Sequence, residues 1–230
     1  MRIDLNCDLG EGEAFDAELM PLITSANVCC GAHAGGPDIS LAALRLAVAH
    51  AVRIGAHPGY PDREHFGRRE MAWEKGRIID EVTKQVRALM ALAERIGGRV
   101  EYIKPHGALY NQACREEAIA DAIGEVGESL GLPIMGLPNS ALAKCSKRFV
   151  AEGFADRRYR ADGSLVPRSQ ADAFVHSPAE AVEQAKRLIA AGTVRTLCVH
   201  GDNPEAVAFV IALRAALVGA GFSIRAFDLP

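Results

Sequence analysis

Four histidines of this chain lie beside a glycine at the end of an apolar run. His33 and His57 each close a Gly-Ala-His triplet, and His106 and His200 are each followed by glycine. An imidazole in such a position can bind a metal ion, transfer a proton or stabilise an anion. A glycine that only marks a strand-to-helix turn would explain one such histidine, whereas four in the same setting indicate one shared site.

Two further sets of polar residues accompany these histidines. Asp4, Asn6 and Asp8 alternate with apolar residues in the first predicted strand, and because strand side chains alternate between two faces, the three share one face. Lys104 and His106 have the same parity near the end of another apolar run, so they can face one cavity. Carboxylates, an ammonium and imidazoles together offer both proton transfer and anion binding.

These side chains need a scaffold that brings strand ends together. Strand-like apolar runs alternate with helix-like periodicity along the chain, and no linker-like composition divides it. The sequence therefore predicts an α/β fold in a single domain, residues 1–230: a TIM-like β/α barrel, possibly distorted, with seven or eight strands. In such a barrel the polar face of the first strand points into the lumen, and the carboxyl ends of the strands meet at one mouth.

The periodicity also predicts where the individual elements lie. Strands are expected at 26–33, 54–57, 100–104, 133–137, 196–199 and 224–227. Helices are expected at 38–53, 75–96, 115–130 and 178–191, with one more from a cap at Asn139 to about residue 150 and another that begins at Asn203-Pro204-Glu205. Long loop structure is expected at 58–69, and a hairpin-like excursion at 154–168.

Composition narrows the range of partners. A formal charge of −3, a pI near 6.2 and an aromatic content of 6% are atypical of nucleic-acid-binding proteins. The sequence shows no secretory segment and no run long enough to span a membrane, so a cytoplasmic protein is expected. The six cysteines form no Cys-x-x-Cys pair and are expected to be reduced thiols, not a disulfide framework or a structural zinc site.

Three kinds of function fit the polar residues. The first is a divalent metal ion that activates water, although no His-Glu-x-x-His or similarly compact motif is found. The second is metal-free acid–base hydrolysis of an amide or lactam, in which a carboxylate or histidine activates water. The third is a binding module that recognises a small acid without turnover. The cation of Lys104 favours an anionic substrate over a nearby metal, and the sequence leaves the bound metal undetermined.

Six ordered blocks of the sequence resemble the LamB/YcsF family, which includes the A-type component of the bacterial ATP-dependent 5-oxoprolinase. The resemblance runs from Ile3 to about Phe222. The blocks are DLNCDLGEG at 4–12, AN at 26–27 with CG at 30–31 and HAG at 33–35, GAHPG at 55–59 with FGRR at 66–69, KPHGALYN at 104–111, FADR at 154–157 and CVHGD at 198–202. The resemblance implies a TIM-like barrel akin to those of polysaccharide deacetylases and glycoside hydrolases.

The activity implied by this resemblance is ring opening of 5-oxo-L-proline to L-glutamate, coupled to ATP hydrolysis. It implies ATP supplied with Mg²⁺, no tightly bound organic cofactor, and two further subunits of the B and C types; a homo-oligomer also fits. Because the chain has no Gly-x-x-x-x-Gly-Lys-Ser/Thr loop, ATP would be held by other means or by a partner. The alternative is a metal-dependent deacetylase-type hydrolase, or another cyclic-amide hydrolase, that does not use ATP.

The residues expected to act in this reaction come mainly from the six blocks. Catalysis requires groups that activate water and groups that hold a phosphate or oxyanion, and the candidates are Asp8, Lys104, His106, His200 and Asp202. Binding of substrate or phosphate suits amide, imidazole and guanidinium groups, and the candidates are Asn6, His33, His57, Arg68, Arg69, Asn111 and Arg157.

Overall fold

The computed structural model describes residues 2–168, 170–200 and 206–230. Its strands are β1 (Arg2–Leu9), β2 (Ser25–Cys29), β3 (Arg53–His57), β4 (Val100–Ile103), β5 (Ile134–Gly136), β6 (Phe149–Phe154), β7 (Thr196–Val199) and β8 (Ser223–Ile224). Its helices are α1 (Asp16–Leu19), α2 (Pro37–Ala49), α3 (Lys75–Glu94), α4 (Gly107–Arg115), α5 (Glu117–Leu130), α6 (Ala141–Cys145), α7 (Pro178–Ala190) and α8 (Ala206–Gly219).

Seven parallel strands close into a barrel. β1 pairs with β2 on one side and with β7 on the other, and β2 to β7 pair in sequence order. β8 pairs with Arg2 and Ile3 at the start of β1, before β7 joins β1 at Asp4. The predicted TIM-like β/α barrel of seven or eight strands is therefore confirmed, with seven strands in the ring and the eighth beside it.

The two faces of β1 have different surroundings. Ile3, Leu5 and Cys7 are at most 1% exposed and belong to the main apolar core under the helices. Asp4 and Asn6 are also fully buried, but they bond to polar side chains of neighbouring strands. The alternation of the sequence thus places apolar groups outside the ring and polar groups in its lumen, as predicted.

The outer helices are held to the ring by regularly spaced apolar residues. In α3 the buried apolar positions recur every three or four residues: Ile78, Val82, Val86, Leu89 and Ala93. Full burial of a valine, leucine or isoleucine side chain stabilises the fold by about 1.5–3 kcal/mol. The helix predicted at 75–96 ends at Glu94, and Gly97 follows with a left-handed backbone (φ 74°), which suits a glycine at a helix end.

The chain after β5 differs from the prediction. Asn139 does not cap a helix that reaches residue 150, because it has a left-handed backbone (φ 61°) and the hydroxyl of Ser140 accepts the N–H of Ala143 instead. The helix α6 then ends at Cys145, and residues 149–154 form β6. Local helix propensity suggested one continuous helix here, but pairing of β6 with both β5 and β7 outweighs it.

Three other boundaries also differ from the prediction. β2 ends at Cys29, so His33 lies in the turn that precedes α2 and not in a strand. The helix α4 was not predicted; it begins at Gly107, and the extended backbone of Glu116 separates it from α5. The last strand is Ser223–Ile224, and Phe227, predicted to end it, packs against Tyr102 with ring centroids 5.4 Å apart.

The segment between β6 and α7 makes two antiparallel bridges. Arg157 pairs with Phe174, and Tyr159 pairs with Leu165, which is the hairpin-like arrangement that was predicted. α7 begins after Ser177, whose hydroxyl accepts the N–H of Glu180 as expected for a capping box. The predicted cap at 203–205 lies outside the described residues. Within the described ranges, no helix combines the length and apolar character that crossing a bilayer requires.

Candidate active site at the barrel mouth

The deepest polar residues of the lumen bond to one another. Asp4 accepts hydrogen bonds from Thr24 at 2.6 Å and Ser25 at 2.7 Å, and a further one from Thr196. Burial raises the pKa of Asp4 in spite of these donors. The amide of Asn6 donates to Thr196 at 2.7 Å. Asn6, predicted to bind substrate, therefore lies below the mouth in a closed hydrogen-bonding network.

Lys104 occupies the lumen with its ammonium surrounded by acceptors. Nζ lies 2.8 Å from Glu152 Oε1, 3.0 Å from Asp8 Oδ1 and 3.2 Å from Asn6 Oδ1. Burial alone would lower the pKa of Lys104, but the charges of Asp8 and Glu152 outweigh it and raise that pKa well above its ordinary value. The three N–H bonds of the ammonium already have acceptors, so a phosphate or oxyanion would bind there only by displacing one of them.

Glu152 is a site residue that the sequence analysis missed. Its carboxylate is fully buried, and it accepts a hydrogen bond from the hydroxyl of Tyr110 at 3.0 Å in addition to its ion pair with Lys104. It lies on β6, a strand that was not predicted: the predicted helix reached about residue 150, and residues 151–153 were assigned to no element. A single carboxylate within the apolar run 149–154 was the available signal, because a buried charge requires a partner.

Asp8 connects the lumen to the mouth. Its Oδ1 accepts a hydrogen bond from Asn27 at 2.7 Å and lies 3.0 Å from Lys104 Nζ, and its Oδ2 lies 3.4 Å from His57 Nε2. Burial would raise the pKa of Asp8, but the charges of His57 and Lys104 outweigh it and lower the pKa well below its ordinary value. Asp8 is therefore an ionised carboxylate with a cationic partner on one side and an imidazole on the other.

Glu11, His33, His57 and His106, here called the imidazole cluster, lie together on one side of the mouth. Glu11 Oε1 lies 3.0 Å from His33 Nε2, 3.3 Å from His106 Nδ1 and 3.8 Å from His57 Nε2. The rings of His33 and His106 are stacked, with centroids 3.7 Å apart. Burial lowers the pKa of His33 to about 3 and also lowers the pKa of His106, so both rings are neutral at pH 7.

Glu11 was also missed by the sequence analysis. It lies directly after the polar-faced strand β1, between two glycines, and that position was the signal for it. Burial would raise the pKa of its carboxyl, but hydrogen bonds with His106 and His33 outweigh burial and lower that pKa. The result is an ionised carboxylate in direct contact with imidazoles.

Two glycines let the loop after β3 pack onto the cluster. A Cβ on Gly59 would lie 2.7 Å from His33 Nδ1, and a Cβ on Gly67 would lie 2.7 Å from His33 Cβ. Gly67 also has a left-handed backbone (φ 64°), which glycine adopts without strain. The glycines of the 55–59 and 66–69 blocks therefore fix the rings by close contact.

His200 and Asp156 form a second pair at the mouth. His200 Nδ1 lies 2.8 Å from Asp156 Oδ2, and the backbone N–H of His200 donates to the same oxygen at 2.8 Å. Burial would raise the pKa of Asp156, but the charge and hydrogen bonds of His200 outweigh it and lower that pKa. The pairing fixes a proton on Nδ1 and leaves Nε2 as an acceptor, as in a general base oriented by a carboxylate. Asp202 lies outside the described residues.

A small cavity at the mouth is lined by residues of the imidazole cluster and by His200. Its volume is about 20 Å³, which is room for about one water molecule. Charged groups of both signs line it, and the full lining is Asp8, Leu9, Glu11, Glu13, Asp16, Arg68, His106, Arg168 and His200. The guanidinium groups of Arg68 and Arg168 suit the carboxylate of a small substrate, because their planar forks pair with two oxygens at once.

Three predicted binding residues lie away from this cavity. Arg69 and Asn111 are exposed. Arg157 is buried, and its guanidinium donates to the backbone carbonyls of Val166 and Ala173. Arg157 therefore tethers the segment between β6 and α7, and its donors are directed at that segment instead of at a ligand.

Two groups of described side chains have the composition of a metal site: the imidazole cluster, and Asp8 with Cys198 and His200. In the second group, Lys104 Nζ lies 3.1 Å from Cys198 Sγ, and burial raises the pKa of Cys198 well above its ordinary value. A protonated thiol beside a cation disfavours metal binding. The imidazole cluster offers nitrogen and carboxylate donors, which fit a divalent ion better.

Comparison with known proteins places this barrel and mouth in a family. The family model described as LamB/YcsF matches residues 3–229. The crystal structure of a lactam utilization protein from Thermus thermophilus has 39% sequence identity and a TM-score of 0.91, and the match covers 99% of this chain and 100% of that one.

Two less similar structures share the fold. A family 4 carbohydrate esterase from Streptomyces lividans, in complex with acetate, has 13% identity and a TM-score of 0.57 over 97% of this chain and 91% of its own. A polysaccharide deacetylase from Bacillus cereus has 13% identity and a TM-score of 0.56 over 99% of this chain and 93% of its own. These two confirm the deacetylase-like barrel, and the family model together with the Thermus structure shows that the chain belongs to the LamB/YcsF family.

Proposed function

We propose that this protein opens 5-oxo-L-proline to L-glutamate with hydrolysis of ATP, together with two partner subunits of the B and C types. Membership of the LamB/YcsF family supports action on a lactam, and the related Thermus protein is described as a lactam utilization protein. The use of ATP and of two partners rests on the resemblance of the six sequence blocks to the A-type component of 5-oxoprolinase.

The observation that carries the proposal is the His200–Asp156 pair beside a cavity that two arginines line. His200 Nδ1 is held by Asp156 at 2.8 Å, so its Nε2 is available as a base, and His200 is one of the residues that line the cavity. Arg68 and Arg168 line the same cavity and suit the carboxylate of 5-oxoproline, whose ring would lie across the cavity opening with the attacking water inside, because the cavity holds about one water molecule. A base and a carboxylate clamp on one cavity are what hydrolysis of a small cyclic amino acid derivative requires.

Coupling to ATP is chemically reasonable for this substrate, because a five-membered lactam is a weak electrophile and its ring closure is favourable. In the proposed reaction the lactam oxygen attacks the γ-phosphorus of ATP, which releases ADP and leaves an O-phosphorylated ring. Water, deprotonated by His200, adds to the ring carbon. The carbon–nitrogen bond then breaks as the nitrogen gains a proton, giving an acyl phosphate, and a second water hydrolyses this to glutamate and phosphate.

His200 is a better base than Asp8 in this arrangement. Asp8 is ionised, but it is engaged by Lys104 at 3.0 Å and by Asn27 at 2.7 Å, and its low pKa makes it a weak acceptor of protons. His200 has a carboxylate on one ring nitrogen and the cavity near the other. We therefore propose that His200 removes the proton from the attacking water. Asp8 keeps its negative charge and balances the positive charge of Lys104.

The experiment that tests this function is an assay of glutamate release from 5-oxoproline and ATP, with and without the two partner subunits. We expect release to need ATP and all three proteins, with ADP and glutamate formed in equal amounts. Glutamate release at the same rate without ATP would overturn the proposal, and so would the absence of release in the complete mixture.

A second candidate is hydrolysis of a cyclic amide without ATP, which the imidazole cluster favours because it has the composition of a metal site. Omission of ATP separates the two candidates. If this second function is correct, turnover of a lactam persists without ATP and is lost on treatment with a chelator.

A further inference from the structure

We propose that Glu11, His57 and His106 form a binding site for one divalent transition-metal ion of the zinc type. This inference does not depend on the substrate or on the use of ATP. It rests on the positions of protons and lone pairs in the imidazole cluster, on distances, and on the place of the cluster beside the cavity.

The hydrogen bonds of two rings determine where their protons lie. His57 Nδ1 lies 2.7 Å from the carbonyl oxygen of Lys104, and His106 Nε2 lies 2.8 Å from the carbonyl oxygen of Phe66. A carbonyl oxygen only accepts, so in each neutral ring the proton is on that nitrogen. His106 Nδ1 then carries a lone pair, and so does His57 Nε2 whenever that ring is neutral; the two nitrogens lie 3.0 Å apart, so a proton on His57 Nε2 would be donated to His106 Nδ1.

A carboxylate oxygen meets the same two lone pairs. Glu11 Oε1 lies 3.3 Å from His106 Nδ1 and 3.8 Å from His57 Nε2. When both rings are neutral, three acceptors converge, which is unfavourable unless a cation lies between them. That cation is either a proton shared by the two rings, which the 3.0 Å separation of their nitrogens accommodates, or a metal ion, and a metal ion further requires distances that suit all three atoms.

The three acceptor atoms form a triangle of the size that a metal ion requires. With sides of 3.0, 3.3 and 3.8 Å, the circle through the three atoms has a radius of about 2.0 Å. Zinc–nitrogen and zinc–oxygen bonds are about 2.0–2.2 Å long, so an ion near the centre would contact all three atoms without movement of the side chains. Two histidines and one glutamate are also the donors of a known class of catalytic zinc site.

The surroundings match those of a metal site beyond the ligands themselves. Metal-binding histidines usually donate their second ring proton to a backbone carbonyl, and His57 and His106 both do so. His33 Nε2 lies 3.0 Å from Glu11 Oε1, so its N–H can orient the glutamate ligand. Nitrogen donors favour zinc, cobalt, nickel or iron over Mg²⁺, which prefers oxygen ligands. The site is therefore chemically distinct from any Mg²⁺ that accompanies ATP.

The proposed site opens on the cavity. Glu11 and His106 are among the residues that line it, and Asp8 and His200 line it as well. A zinc-type ion lowers the pKa of a bound water and polarises a carbonyl oxygen. Asp8 Oδ2, 3.4 Å from His57 Nε2, is near enough to add a hydrogen bond or a fourth ligand.

The test uses the full-length chain without a histidine tag, stripped with a chelator and dialysed. We expect titration calorimetry with Zn²⁺ to give one site, Co²⁺ to give the visible absorption of a bound ion, and Zn²⁺ to raise the melting temperature. Two variants remove a proposed ligand: Glu11→Gln, which keeps the shape of the side chain, and His106→Asn. Loss of a residue that only hydrogen-bonds to a ligand weakens metal binding by roughly 10- to 100-fold, and each of these variants should weaken zinc binding by more than that. His50→Ala and His176→Ala, both at exposed positions, should bind zinc like the wild type.

Three results would overturn the proposal. One is a wild-type protein that binds no zinc or cobalt at micromolar concentration, which would mean that a proton fills the space. Another is Glu11→Gln that binds as tightly as the wild type. The third applies even if the variants fail to fold: crystals soaked in Zn²⁺ that show no anomalous peak between His57 Nε2 and His106 Nδ1.

Discussion

The polar side chains of the barrel form two layers that differ in their position relative to the cavity. The lumen layer is buried below it and consists of Asp4, Asn6, Lys104 and Glu152. The mouth layer lies at the cavity: Glu11, His106 and His200 line it, and His33, His57 and Asp156 contact these three.

Burial is outweighed at some buried groups and decisive at others. Lys104 keeps its proton although burial opposes this, because Asp8 and Glu152 raise its pKa. In the mouth layer, burial lowers the pKa of His33 to about 3 in spite of Glu11, whereas the charge of Asp8 outweighs burial and raises the pKa of His57. A buried group is therefore charged or neutral according to the balance between burial and the charges of its neighbours, and not according to depth alone.

The layers are connected by the period of the strands. Asp8 follows Asn6 by two residues, His106 follows Lys104 by two, and His200 follows Cys198 by two. Because every second residue of a strand faces the lumen, each step of two moves one layer toward the mouth. We therefore expect changes in the lumen layer to act mainly on stability, and changes in the mouth layer to act mainly on function.

The largest effect is expected for Asp156→Asn in the mouth layer. The asparagine can no longer hold the His200 proton on Nδ1 as an anion, so the ring loses the tautomer that leaves Nε2 basic. We expect kcat for ring opening in the complete complex to fall by about 10,000-fold, the loss that the same change causes in a serine-protease triad.

The control for this variant is Asp172→Asn, an exposed aspartate of the same segment, which should keep full activity. The melting curve of Asp156→Asn should remain cooperative, so that loss of activity is not loss of folding. If Asp156→Asn retains more than about a tenth of wild-type kcat, His200 is not the base, since a missing orienting carboxylate costs far more than that.

Lys104→Met should have the largest effect on stability. It leaves Asp8 and Glu152 as buried carboxylates without their cation, and loss of one partner of a buried ion pair costs about 3–5 kcal/mol. Urea unfolding at pH 7 measures this loss. The double variant Lys104→Met, Glu152→Gln should recover part of it, because one of the orphaned charges is removed.

A surface ion pair provides the matched control. Lys147 and Glu128 lie 2.8 Å apart, but their side chains are 77% and 45% exposed. Lys147→Met should therefore change the free energy of unfolding by less than about 1 kcal/mol. If Lys104→Met is as mild as Lys147→Met, the lumen layer does not stabilise the barrel and the contrast between the layers fails.

The convergence of the histidines could be predicted from the sequence. His57, His106 and His200 end or follow strands at the carboxyl edge of a parallel barrel, and the topology brings such positions together whatever the exact register. His33 meets them from the turn after β2 instead of from a strand. The barrel itself followed from the alternation of elements and from the polar face of β1.

Other parts of the site depend on pairing between strands that are distant in sequence. Glu152 was missed, although a lone carboxylate in an apolar run was a signal for it, because β6 is defined by its pairing with β5 and β7. The acceptor atoms that surround the Lys104 ammonium likewise come from different strands, so their arrangement depends on how those strands pair. Arg69 and Asn111 were chosen because they belong to the family-like blocks and not because of parity, and both are exposed.

A smaller effect is expected from the arginine pair that follows Phe66. Both side chains are exposed, but Arg68 lines the cavity and Arg69 is not among the lining residues. Loss of one charge-assisted hydrogen bond costs about 1.5–3 kcal/mol, so Arg68→Ala should raise KM for 5-oxoproline by roughly 10- to 100-fold. Arg69→Ala should leave KM within about twofold of the wild type, as for an exposed side chain without a ligand contact. Equal KM values for the two variants would remove Arg68 from substrate binding.

The smallest effect, and the most direct comparison of the layers, is the pH dependence of stability. In the mouth layer, the pKa of Asp156 lies below its ordinary value of 3.8 because His200 outweighs burial, so its stabilising effect is complete above pH 3.8 and is lost as the pH falls through the folded value. In the lumen layer, burial raises the pKa of Asp4 above 3.8, so its effect has the opposite sign: it is complete below pH 3.8 and is lost as the pH rises through the folded value.

Urea unfolding at a series of pH values separates the two aspartates. The difference in unfolding free energy between wild type and Asp156→Asn should shrink as the pH falls below 3.8, and the difference between wild type and Asp4→Asn should shrink as the pH rises above 3.8. Differences that change in the same direction for Asp4 and Asp156 would mean that burial governs both carboxyls equally, because the charge and hydrogen bonds of His200 are what reverse the sign at Asp156.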